Sequence, residues 1–254
     1  MPPVKALFLD ISGVLYENGL PIEGAAAVID QARRCGLTLR FVTNTATRDR
    51  QTIRANLYSM GMVAESEELF TAPTAAKNYL KKHQLRPFCL VHQAIQSEFD
   101  ELEQQDPSCV LLGDAQEDLN YQSLNRAFQL CHRGMPLIGI GMNKYFSDGE
   151  TLKLDAGPFI KAIEWAADTK AIIMGKPSRE FFAEVVASTP FAANQCLMVG
   201  DDVAADVRGA ADAGLQACLV KTGKYQPGDE EQLPDGGWVI DSVADLSGLL
   251  ETLI

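Results

Sequence analysis

At 254 residues, 46% of them hydrophobic, the chain is long enough for one large domain or for a core carrying an inserted lobe. A formal net charge of −12 with no basic stripe argues against a nucleic-acid partner. No apolar run approaches the roughly 20 residues that span a bilayer, and MPPVKALFLD lacks the layout of a secretory leader, so the expectation is a soluble, cytoplasmic protein with no membrane partner.

Residues 4–10, VKALFLD, form a continuous apolar run ending in an acid, the pattern of a strand buried on both faces. A helix is predicted over 24–35, with Gly36 as its stop. A strand follows over 37–44, then a helix over 48–60 stopped by Gly61. Strand and helix in alternation predict parallel βαβ units. In the last third, AIIMGK (171–176) reads as a strand. The helix predicted over 178–188 is capped by Ser178 and places Glu180 and Glu184 on its exposed side. QCLMVGD (195–201) is a second apolar strand ending in an acid. An Ala-rich helix over 203–214, a strand over 215–223 and a helix over 243–252 complete the chain.

The middle is different in style. Short strands are predicted at PFCLVH, SCVLLG and PLIGI, with a helix over 121–134. A hairpin is predicted over 144–154 with its turn at Asp148-Gly149. The fold class that follows is α/β: a doubly wound parallel-sheet core over 1–84 and 171–254, with an inserted α/β lobe over 85–170. The six cysteines contain no C-x-x-C pair and read as reduced thiols, most of them buried, while the three histidines are scattered and read as structural. The acidic clusters at 65–69 and 228–232 read as solvated faces and loops.

The candidate chemistry lies where apolar strands end. In open parallel sheets ligands bind outside the carboxyl ends of the strands. Asp10, Asp201, Asp202 and Asp206 can therefore gather on one rim. Carboxylates crowded together repel one another unless a cation sits among them, and oxygen ligands of this type suit Mg²⁺. Asp202, placed before VAADV, also reads as a helix cap. Thr43, Asn44 and Thr45 end the second strand and can donate to phosphate oxygens, although such residues are ordinary in turns. Lys176 follows the AIIMG strand and can screen anionic oxygens, although a lone lysine is more often solvated surface.

Taken together, LFLDISGVLY (7–16), FVTNT (41–45), GKPS (175–178) and MVGDDVAADVRGA (198–210) resemble the signatures of the haloacid dehalogenase superfamily. The lobe between the second and third signatures resembles its C2-capped branch. Within that branch DISGVLY, RFVTNT, DAGPFIKAIEWA and VKTGKY resemble the phospholysine phosphohistidine inorganic pyrophosphate phosphatases and the related haloacid dehalogenase-like hydrolase domain-containing proteins. The resemblance implies a Mg²⁺-dependent phosphohydrolase acting on small phosphorylated compounds. It implies Asp10 as nucleophile and metal ligand, with Asp201 and the Ser12 backbone carbonyl as further ligands. Asp202 and Asp206 would hold metal waters. Ser12, Gly13, Thr43, Asn44, Thr45 and Lys176 would cradle the phosphoryl group. A homodimer is implied on the same ground. Lys144, Tyr145 and Asp155 are candidates for selectivity on the inserted lobe, and hairpin charge and cross-strand packing explain them equally well.

One position departs from the superfamily's pattern. Most of its phosphatases carry Asp two residues after the nucleophile, as the acid and base of the reaction; here that position is Ser12. General acid catalysis typically contributes roughly 10²–10⁴-fold. Its loss points to leaving groups that need no proton from that position, in P–N or P–O–P bonds or aryl phosphates. A second reading is a catalytically weak regulatory or binding protein on the same fold. A third, hydrolytic dehalogenation, has no need of the acid-rich GDDVAAD stretch.

Overall fold

The computed structural model describes residues 2–147 and 151–254. In chain order, β1 (Ala6–Asp10) leads through a tight loop into the small hairpin β2 (Tyr16–Glu17) and β3 (Leu20–Pro21). Helix α1 (Ala25–Arg34), strand β4 (Thr38–Thr43), helix α2 (Arg50–Ser59) and strand β5 (Leu69–Thr71) follow. Next come α3 (Ala72–Lys82), β6 (Pro87–Leu90), β7 (Cys109–Leu112), α4 (Tyr121–His132) and β8 (Leu137–Gly139). The hairpin strands β9 (Tyr145–Ser147) and β10 (Leu152–Leu154) precede α5 (Ala156–Ala167) and β11 (Ile172–Ile173). The chain closes with α6 (Arg179–Ala187), β12 (Cys196–Gly200), α7 (Gly209–Asp212), β13 (Gln216–Val220), β14 (Trp238–Ile240) and α8 (Leu246–Leu253).

The chain forms two compact units: residues 1–43, 50–70 and 176–254, and residues 44–49 and 71–175. The first is built on a six-stranded sheet in the order β14-β13-β12-β1-β4-β5. Strand β1 lies parallel between β12 and β4, and β13 and β14 extend the sheet in the same sense. All five residues of β1 are buried, which is why its sequence reads as an unbroken apolar run. Leu7, Leu9, Leu39, Phe41, Leu197 and Val199 share one core cluster with Val28 and Ile29 of α1 and Leu246 and Leu250 of α8. Each such side chain contributes about 1.5–3 kcal/mol on burial. The alternate residues Phe8 and Met198 are fully buried too, so both faces of the sheet are covered.

The second unit is a four-stranded parallel sheet, β11-β8-β7-β6, packed with α4 and α5, and the β9–β10 hairpin. The turn expected at Asp148-Gly149 lies outside the described residues. The insert expected at 85–170 differs from this unit at both ends. Helix α3 groups with the second unit, where Lys77 and Lys81 pair with Glu101 at 3.1 and 2.8 Å. The predicted strand 171–176 shortens to β11, which pairs with β8 in the second sheet rather than joining the first. Ile173 packs on the second unit's core, which decides its allegiance.

Two helices also depart from expectation. Glu184 is buried beside Val185 and Phe181, since four residues advance only about 40° beyond a full turn and leave it flanked by the helix's apolar face. The helix predicted over 203–214 opens instead as a π-helical stretch, Val203–Arg208, before α7. Such wide turns re-aim side chains and are frequent at functional sites. Strands β5 and β14 and helix α3 were not predicted. Among the described residues no helix is long and apolar enough to cross a membrane.

Candidate active site

Register places the acids. Asp10 ends β1 opposite Val42 of β4, and Leu9 lies opposite Val199 of β12. Thr43, one residue past Val42, and Asp201, one past Gly200, therefore leave the sheet at neighbouring heights beside Asp10. Asp206 returns to the same place because the π-helical stretch directs it inward, where it is 1% exposed. Oxygens of Asp10, Asp201 and Asp206 all lie within 4.8 Å of one another.

Lys176 sits among them, buried. Its Nζ is 2.7 Å from Asp10 Oδ1 and 2.6 Å from Asp206 Oδ1. Burial works against its ammonium, but Asp10 and Asp206 outweigh that cost and raise its pKa, so it stays charged. Three carboxylates around one ammonium leave an excess of negative charge in a water-poor place. Burial accordingly raises Asp10 and Asp201, and pushes Asp206 up to about 6. The Lys176–Pro177 peptide is cis, and Ser178 next to it caps α6 by accepting the Phe181 N–H at 3.1 Å.

Asp201 is held from one side only. Its Oδ2 accepts the backbone N–H of Lys224 at 2.8 Å. Among the described residues its buried Oδ1 has no hydrogen-bond partner. An orphaned buried carboxylate oxygen costs about 1–3 kcal/mol or more, and a cation removes that cost. The donor set of carboxylate oxygens is that of a hard divalent cation, so these residues fit a magnesium ion.

The other expected residues divide. Thr43 is buried at the end of β4, while Asn44 and Thr45 are half-buried and belong to the segment that groups with the second unit. Asp202, expected to hold metal waters, makes contacts within the protein. Its Oδ1 accepts the N–H groups of Ala204 and Ala205 at 3.1 and 2.9 Å, and its Oδ2 faces Lys224 Nζ at 3.3 Å. It is the helix cap that its position also allowed, and despite partial burial these bonds lower its pKa. Gly13 does not offer its N–H to a phosphate either, because that group donates to the Tyr16 carbonyl at 2.8 Å. What Gly13 provides is room: with φ +84°, a Cβ there would stand 2.0 Å from Asp201 Oδ2. Ser12 is exposed, and its hydroxyl reaches the Tyr16 hydroxyl at 3.3 Å, a long contact. In the second unit, Asp155 caps α5 by accepting the Ala156 N–H at 2.6 Å, and Lys144 and Tyr145 are exposed.

The segment Thr222-Gly223-Lys224 was not among the expected site residues, although VKTGKY lies in the resemblance. Nothing in its composition marks it, since its contribution is made by backbone atoms and a hydroxyl.

Comparison with known proteins bears on the family and the fold. Residues 7–105 match the family model described as haloacid dehalogenase-like hydrolase, and residues 173–246 match one described as HAD-hydrolase-like. The chain is 41% identical over 235 residues to the phospholysine phosphohistidine inorganic pyrophosphate phosphatase of Xenopus laevis, covering 90% of this chain and 87% of that protein. It is 38% identical to the human haloacid dehalogenase-like hydrolase domain-containing protein 2, covering 91% and 89%. Among solved structures it is similar to a 4-nitrophenylphosphatase from Thermotoga maritima, with a TM-score of 0.84, 23% identity and coverage of 96% and 97%. NagD from E. coli K-12 is similar at a TM-score of 0.84, 21% identity and coverage of 96% and 98%. At these identities the two structures speak to the fold.

Proposed function

Since this chain belongs to the haloacid dehalogenase-like hydrolases, as a phosphatase with a C2-type cap, we propose that it hydrolyses small phosphorylated compounds through an aspartyl-phosphate on Asp10. The observation that carries this reading is the cluster of Asp10, Asp201 and Asp206, with Lys176 paired to Asp10 and Asp206 and Asp201 Oδ1 buried without a hydrogen-bond partner among the described residues. Asp10, Asp201 and the Ser12 carbonyl would hold Mg²⁺, which supplies charge neutralisation to the phosphoryl oxygens.

In the first step a carboxylate oxygen of Asp10 attacks phosphorus. The bond to the leaving group breaks, its electron pair departs with that group, and the phosphoryl group is left on Asp10. Water then attacks phosphorus, releasing inorganic phosphate and regenerating the carboxylate. Lys176 stays an ammonium throughout and offsets charge on the transferring oxygens. Thr43, with Asn44 and Thr45 beside it in sequence, is proposed to donate to those oxygens. Asp206 holds Lys176 from the far side.

The finer reading concerns the leaving group. With Ser12 where a carboxyl usually stands, bonds whose leaving group departs without a proton from that position are favoured: P–N, P–O–P and aryl phosphates. The name of the Xenopus relative supports this substrate class. Purified protein with Mg²⁺ is to be assayed on p-nitrophenyl phosphate, pyrophosphate, imidodiphosphate and a sugar phosphate, beside Asp10→Asn. Turnover of the first three that vanishes in the variant is expected. Turnover surviving Asp10→Asn rejects the nucleophile, and inactivity on every substrate with Mg²⁺ bound favours a binding role. Ser12→Asp should raise sugar-phosphate hydrolysis relative to pyrophosphate hydrolysis, and an unchanged ratio sinks the leaving-group reading.

A further inference from the structure

We propose that the loop Thr222–Lys224, which follows β13, is the positioning element of the cation site: it holds Asp201 by one oxygen so that the other stays aimed at the metal. The inference rests on the reading above of Asp201 as a metal ligand. Three contacts carry it. The Lys224 backbone N–H donates to Asp201 Oδ2 at 2.8 Å, leaving the buried Oδ1 without a hydrogen-bond partner among the described residues. The backbones of Gly13 and Gly223 wall the same carboxylate. At Gly223, with φ +62°, a Cβ would lie 2.1 Å from Oδ2 and 2.6 Å from the Gly13 Cα. The Thr222 hydroxyl donates to the Gly13 carbonyl, tying this loop to the one that leaves Asp10.

The ion pair between Lys224 Nζ and Asp202 fastens the loop's far end to the cap of the π-helical stretch. Two loops from neighbouring parts of the sheet are thus latched across one carboxylate. A carboxylate free to rotate would offer either oxygen and lose entropy on binding the ion. One already bonded at Oδ2 offers a single preset ligand atom. Partners of this kind behind a metal ligand typically change metal affinity by about 10–100-fold when removed.

The test is calorimetric titration of Mg²⁺ into the protein without substrate, together with thermal unfolding in EDTA. Thr222→Val deletes the hydroxyl at constant shape and should weaken Mg²⁺ by about 10-fold, with Thr222→Ser returning to within about 2-fold of wild type. Gly223→Ala should weaken it by about 100-fold or more. Lys224→Ala keeps the backbone donor and loses only the ion pair, so a smaller loss of about 3-fold is expected. A merely structural loop predicts a lower melting temperature in EDTA with wild-type Mg²⁺ affinity. That result for Thr222→Val overturns the proposal, even if Gly223→Ala fails to fold. Wild-type protein that binds no Mg²⁺ overturns it too. Wild-type protein that binds Mg²⁺ yet hydrolyses nothing, with the variants weakened as stated, upholds the positioning role while removing the phosphatase reading.

Discussion

The two units carry parallel sheets of the same construction, yet among the described residues only one has a metal-sized cluster of carboxylates at its strand ends. In the first, Asp10, Asp201 and Asp206 cluster, and Lys176 pairs with Asp10 and Asp206. In the second, β7 also runs out into a buried acid, Asp114, whose Oδ1 accepts the Gln116 N–H at 3.3 Å and whose Oδ2 has no hydrogen-bond partner among the described residues. Burial raises its pKa as it does for Asp10. Among the described residues no ammonium pairs with Asp114 and it belongs to no metal-sized group of three or more ligands, although the Asp155 carboxylate is near enough to help raise its pKa. An acid at the carboxyl end of a strand is therefore what the topology offers. A chemical site needs the neighbouring strands to deliver a counter-charge to the same point.

Asp10→Asn should lower turnover by about 10³-fold or more, because the nucleophile itself is removed. Asp114→Asn should leave kcat within about 3-fold; an equal loss in both would break the distinction between the two sheet ends. Lys176→Met strips the cluster of its protein cation and should cost about 3–5 kcal/mol of stability in EDTA, read by urea unfolding, since three buried carboxylates then face one another. Saturating Mg²⁺ should recover part of that loss.

The pH dependence of the metal-free protein sharpens the same contrast. Asp206 binds its proton more tightly folded than unfolded, with its pKa raised from 3.8 to about 6. Its contribution therefore favours the folded state fully below pH 3.8 and is lost as pH rises through about 6. The melting temperature in EDTA should fall across that window, and less so in Asp206→Asn. Mg²⁺, which stabilises the ionised acids, should flatten the fall. The smallest effect is expected at Asp202, where Asp202→Ala removes a helix cap and should cost about 1 kcal/mol with little change in kcat. A large drop in kcat at unchanged stability would return Asp202 to the metal's surroundings.

Much of this was legible before any coordinates. A strand buried on both faces must be apolar throughout, so β1, β4, β12 and β13 announce themselves, and an acid or hydroxyl where such a run stops marks the ligand edge. Asp10, Thr43 and Asp201 were singled out that way, whereas Lys176 follows a strand that joins the other sheet. Local pattern is silent on which sheet a two-residue strand such as β11 joins, because long-range packing of Ile173 decides it. It is equally silent on whether Asp202 or Asp206 turns inward. That choice was made by a π-helical turn, which commits Asp202 to capping and swings Asp206 onto Lys176. Thr222-Gly223-Lys224 was hidden for the same reason: a backbone N–H has no signature in sequence, and only the closing of two loops around Asp201 gives it a task. The residue types thus determined which chemistry the chain can hold. The tertiary structure decided which of four aspartates share it, because buried charges settle where counter-charges and donors meet them.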